Sequence, residues 1–89
     1  MEFSLIRFTP YSEARVRRRK LSMQLVEQVA EHPEQVLEEN DRKVAQSRFV
    51  DPARGTEYML RVVYETDGED KLIVTAYKTS NVRKYWRPS

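Results

Sequence analysis

The chain changes its hydrophobic period twice, and the changes mark out its elements. From Glu2 to Phe8 the pattern alternates weakly, with Phe3, Leu5 and Arg7 on one side and Ser4, Ile6 and Phe8 on the other, and predicts a short strand. Between Phe8 and Ser22 the spacing becomes three and four. Tyr11, Ala14, Arg18 and Leu21 fall on one stripe, and Arg15 and Arg19 on a neighbouring one. Thr9 is placed to cap this helix, and Pro10 suits its first turn because that turn leaves the N–H unpaired anyway. Ser22 caps a second helix whose apolar face is Leu25, Val26, Val29 and Ala30. Pro33 ends it by restricting the residue before it.

From Gln35 onward the period is two. Gln35 to Glu39 is a short strand with Val36 and Leu37, and Asn40 and Asp41 supply a turn. Arg42 to Val50 sets Val44, Gln46 and Arg48 against Lys43, Ala45, Ser47 and Phe49, and Asp51 to Gly55 reads as a loop. Glu57 to Glu65 is the strongest strand, with Tyr58, Leu60, Val62 and Tyr64 opposing Met59, Arg61 and Val63. After the Asp67–Gly68 turn, Lys71 to Tyr77 sets Leu72, Val74 and Ala76 against Ile73, Thr75 and Tyr77. Lys78 to Ser89 reads as a tail closing in Tyr85 and Trp86, an aromatic pair that either pins the tail to the core or stacks on bases.

This order predicts an α+β fold of one domain over residues 1–89. Two N-terminal helices cover one face of a small antiparallel sheet. The other face is then open, and Arg48, Arg61 and Tyr77 on it would form a concave binding surface.

Composition narrows the function. Eighty-nine residues suffice for one small core and leave no room for a large substrate cavity. The formal net charge of +2 is a mild bias. Its distribution is not mild. Arg7, Arg15 and the run Arg17 to Lys20 share their segment with one acid, Glu13, whereas Ser22 to Asp41 carries Glu27, Glu31, Glu34, Glu38, Glu39 and Asp41 and no lysine or arginine. With no cysteine there is no disulfide or thiol chemistry, which suits a reducing cytoplasm. MEFSLIRF lacks the apolar run of a signal peptide, and nothing approaches the roughly 20 apolar residues of a membrane span. The expectation is a soluble cytoplasmic protein without a membrane partner.

Most site chemistries are also excluded. The sole histidine, His32, sits at a helix end beside Pro33, where it serves as a cap or surface group. One histidine and no cysteine make a zinc site implausible, no serine–histidine pair suggests a triad, and Gly55 and Gly68 form no phosphate loop. Asp67, Glu69 and Asp70 read as a solvated turn. Neither a metal nor a cofactor is expected.

Arginine, lysine and tyrosine remain. The basic run is either a solvated helix face whose stems cover the core edge or a phosphate-contacting face, since guanidinium forks match phosphate oxygens. Such residues also suffice in principle for metal-free RNA cleavage, which needs a base, an acid and positive charge for the pentavalent phosphate. Tyr11, Arg15, Arg19, Tyr77 and Lys78 are the candidate catalytic residues. Arg18, Arg48, Arg61, Arg83, Lys84 and Tyr85 are the candidate RNA contacts. Without chemistry, the same cations would hold nucleic acid or an acidic protein.

FTPYSEARVRRRKLS resembles the opening of a small uncharacterised bacterial domain family with the pattern F-T-x-H-A-x-x-R-M-x-x-R-G-I-S. The resemblance continues through HPEQVLEENDRKVAQSRF, YMLRVVYE and LIVTAYKTSNVRKYW, covering the chain from about Ile6 to Trp86. That family is similar to the RelE/ParE class of toxins of bacterial toxin–antitoxin pairs. The resemblance implies two N-terminal helices on an antiparallel sheet and either metal-independent cleavage of mRNA, often on the ribosome, or inhibition of gyrase. It also implies neutralisation by an antitoxin that wraps the toxin. By position, Arg15 and Arg19 match the family's helix arginines, Ser22 its capping serine, Tyr77 to Ser80 its strand end and following loop, and Tyr85 and Trp86 its closing aromatics. Tyr11 stands where the family usually has histidine, and Lys20 where it has glycine. If that histidine is a base, tyrosine, with an ordinary pKa of about 10, is a poor substitute near neutral pH.

Overall fold

The computed structural model describes residues 5–88. Its elements are β1 (Ile6–Phe8), α1 (Pro10–Arg18), α2 (Met23–Glu31), β2 (Gln35–Glu39), β3 (Arg42–Val50), β4 (Glu57–Asp67), β5 (Asp70–Thr79) and α3 (Val82–Tyr85). Glu2 to Ser4, the start of the first predicted strand, lie outside the described residues.

One five-stranded sheet has the order β1-β5-β4-β3-β2. The four later strands form the expected antiparallel meander. The sheet as a whole is mixed, because β1 pairs in parallel with Lys71–Ile73 of β5. The crossover through both helices carries the chain from one sheet edge to the other, a long-range step that local periodicity does not encode. Two carboxylates fix this joint: Leu5 N–H donates to Asp70 at 3.0 Å, and Arg7 pairs with both Asp67 and Asp70. The acidic turn after β4 is thus a clamp on β1.

Helices α1 and α2 cover one sheet face. Val16, Val26, Val29 and Ala30 pack on Ala45, Leu60, Val62, Tyr64, Ile73 and Ala76. Thr9 caps α1 as expected, in a reciprocal box with Ser12: Ser12 N–H donates to Thr9 Oγ1 at 3.0 Å and Thr9 N–H to Ser12 Oγ at 2.9 Å. The buried face of α1 is nevertheless Ser12 and Val16. Tyr11, Ala14 and Arg18 are exposed, and only Leu21 of the anticipated stripe reaches the core. The cap decides this rotation. It draws Ser12 inward, and Val16 follows one turn later.

The end of α1 is a Schellman motif. Lys20 takes the left-handed conformation (φ 57°), its N–H donates to Arg17 O at 3.0 Å, and Leu21 N–H donates to Val16 O at 3.0 Å. The basic run therefore lies where a helix end favours cations. At the end of α2, Lys71 Nζ donates to the otherwise orphan Ala30 carbonyl at 2.6 Å. Burial of this ammonium lowers its pKa from the ordinary lysine value.

Two further differences from the sequence pattern concern β5 and the tail. Val63 opposes Thr75 and Tyr64 opposes Ile73, leaving Val74 unmatched. This bulge lets Ile73 and Ala76 both enter the helix-side core, although strict alternation separates them. The tail holds a third helix, α3, and it covers the face expected to be open. No helix among the described residues is long and apolar enough to cross a membrane.

Candidate nucleic-acid interface

The candidate residues divide between two sides of the sheet. On the helix side, Tyr11, Arg15 and Arg19 follow one another at four-residue spacing along the outer stripe of α1. Tyr11 is 64% exposed. The Arg15 guanidinium lies 4.3 Å from the centre of its ring and donates to its hydroxyl at 2.5 Å. Arg19 reaches the sheet instead, where Nη1 donates to Thr75 Oγ1 and to the Ala76 carbonyl, both at 2.8 Å. Arg17 pairs with Glu13 at 3.7 Å, as the spacing predicts. Arg18 is exposed and has no partner among the described residues.

On the opposite side, cross-strand register aligns Gln46, Arg61 and Tyr77. Arg61 is 1% exposed. Its Nε donates to Gln46 Oε1 at 2.9 Å, Nη1 to the Tyr77 hydroxyl at 2.5 Å, and Nη2 to Glu39 Oε2 at 2.5 Å. The Tyr85 ring lies over this guanidinium at 4.2 Å and meets Tyr77 edge-on at 6.4 Å. Gln46 Nε2 donates to the Tyr85 carbonyl at 3.1 Å. Gln35 exchanges two hydrogen bonds with the Arg87 backbone, at 2.6 and 3.1 Å. Arg48 stacks on Trp86 at 3.7 Å and pairs with Glu34 at 3.4 Å. Hydrogen bonds from the Arg48 backbone and side chain to the Glu34 carboxylate hold its pKa below the ordinary value of 4.5.

Tyr85 and Trp86 thus pin the tail, and they pin it to two arginines on the sheet rather than to the apolar core. Arg61 is a fully partnered structural group, and the concave basic hollow expected on this face is filled. Gln35, Glu39 and Gln46, not singled out from sequence, are what make burial of that charge tolerable. The only advance signal was the alternation that put Gln46 between Val44 and Arg48. Lys78 lies over the Tyr58 ring at 4.5 Å, while Arg83 and Lys84 are exposed on α3. Tyr77 and Arg15 stand on opposite sheet faces, so no single centre joins all five candidate catalytic residues. A hollow of 420 Å³ lined by Glu38, Arg42, Tyr64 and Glu65 contains none of them.

Compared with known proteins, the chain matches no family model, no curated protein and no solved structure.

Proposed function

We propose that this is a small RelE/ParE-like domain that holds single-stranded RNA along the outer stripe of α1 and does not cleave it. The observation that carries the reading is the Tyr11–Arg15 pair: an exposed ring with a guanidinium at 4.3 Å from its centre. A surface aromatic beside an arginine offers a stacking plane for an unstacked base and a fork for the adjacent phosphate. The unpartnered Arg18 adds a second cation within a turn. Two helices on one sheet face, followed by a four-stranded meander, support the RelE/ParE-like assignment. Separation of Tyr77 from Arg15 favours holding over cutting.

The second reading is a metal-independent endoribonuclease toxin of a toxin–antitoxin pair, neutralised by an acidic antitoxin. One observation favours it. The Tyr11 hydroxyl and the Arg15 guanidinium touch at 2.5 Å, so a proton-handling group adjoins a phosphate-binding one.

Both are tested by mixing the purified protein with a short unstructured oligoribonucleotide in EDTA, following anisotropy across a salt series and RNA integrity on a gel. The first reading expects salt-dependent binding with intact RNA, weakened by Tyr11→Ala and by Arg15→Ala. Cleavage of free RNA in EDTA, or of mRNA on translating ribosomes in a separate magnesium-containing reaction, selects the second. Absence of binding at low salt together with intact RNA overturns both.

A further inference from the structure

We infer that copies of this chain join head to tail through their sheets, the acidic β2 edge of one copy adding to the basic β5 edge of the next. Among the described residues both edges lack a partner strand along this stretch. β1 pairs only with Lys71–Ile73, so no described strand lies on the outer side of Val74–Thr79, and β2 ends the sheet of described residues at the other edge. Along an edge strand, alternate residues direct N–H and C=O away from the sheet, and these groups seek a partner strand. The open part of β5 and the whole of β2 are of similar length, six and five residues.

The edges differ in charge. Val74–Thr79 contains no acid, carries Lys78, and is met by Arg19, the residue that closes α1. On β2, Glu38 is exposed with no partner among the described residues, and the neighbouring Val36 is 48% exposed. β2 is therefore an extended segment with a free carboxylate and an apolar contact, and β5 is a cationic edge that suits it.

Arg19 now closes the middle of the β5 edge by donating to the Ala76 carbonyl at 2.8 Å. An arriving strand supplies an amide N–H to that carbonyl in its place. The released guanidinium then takes the Glu38 carboxylate, and the Thr75 hydroxyl it also leaves is a side-chain group that solvent can reach at the strand edge. The two surfaces are different patches of the same molecule, so the contact is heterologous and does not stop at a dimer by symmetry. An assembly held this way dissociates in salt.

The test is sedimentation of the full-length chain without RNA, over a concentration series in about 20 mM and about 500 mM salt. Wild type is expected to exceed the monomer mass progressively at low salt and to return to it at high salt. Glu38→Lys and Arg19→Glu are each expected to remain monomeric. Mixing them restores association, because one variant keeps a native β2 edge and the other a native β5 edge. Lys78→Glu stands in for Arg19→Glu if circular dichroism shows that the latter is not folded. Wild type that stays monomeric at low salt overturns the inference, whether or not it binds an added acidic peptide. So does a mixture of folded variants that stays monomeric.

Discussion

The Arg61 guanidinium lies 4.2 Å below the Tyr85 ring, and the contact shuts the second sheet face of this protein. Removing the arginine leaves Glu39, Gln46 and Tyr77 without their donor beneath a tail that still excludes water. Arg61→Ala is therefore expected to destabilise the fold by about 2–4 kcal/mol, below the range for a fully buried pair because Glu39 is partly exposed. Urea unfolding measures it. A loss under about 1 kcal/mol would show that the network contributes little net stability.

Lys20 offers the opposite sign. Its left-handed backbone, φ 57°, is costly for any residue with a Cβ and free of that cost for glycine. Lys20→Gly is expected to stabilise by about 0.5–1 kcal/mol, or a few degrees in Tm. Lys20→Val loses the same charge yet is expected to destabilise. The difference between the two variants isolates the backbone term, and equal melting temperatures would refute it.

Acid sensitivity follows from Glu34. Its pKa is lowered in the folded state by hydrogen bonds from Arg48, so its contribution to stability is fully present above the unfolded value of 4.5 and fades as pH falls through the lower folded value. Glu34→Gln removes that contribution. The stability of the variant, followed by denaturant unfolding from pH 7 downward, is expected to fall less steeply below about pH 4.5 than that of wild type. Parallel curves would exclude Glu34 as a source of the acid response.

Arg18 separates RNA affinity from stability. Being exposed and unpartnered among the described residues, it is expected to tolerate Arg18→Ala with a change in stability within about 0.5 kcal/mol. The same change is expected to weaken RNA binding several-fold and to reduce the slope of log K against log salt by about 1. An unchanged slope would place the phosphate contact elsewhere.

How far the chain could be read from its residues depended on how far apart the deciding partners lie. Tyr58, Leu60, Val62 and Tyr64 announced β4 because alternation is local, and the turn residues Asn40 and Asp41 announced the β2–β3 hairpin, where both take positive φ. Helix α1 was placed correctly and rotated wrongly. In nine residues its buried positions are a serine and one valine, and the capping hydrogen bonds outweighed a stripe drawn from Tyr11 and Ala14. The bulge at Val74 defeated strict alternation in β5. Arg61 looked like a surface cation because nothing nearby in sequence shows that Glu39, Gln46, Tyr77 and Tyr85 converge on it. The Tyr11–Arg15 pair was within reach of sequence, being one helical turn apart. Arg19's hold on the sheet, 57 residues away, was not.

The parallel joint between β1 and β5 has a temporal consequence. Leu5 and Asp70 are 65 positions apart, so the first strand finds its hydrogen-bond neighbour only after both helices and the intervening strands exist. Newly made protein therefore carries a loose amino-terminal arm until β5 arrives. The same three-residue seam is the natural place for mature protein to come undone first. Deuterium uptake at the Ile6 to Phe8 amides, faster than at β3 and β4, would register that opening.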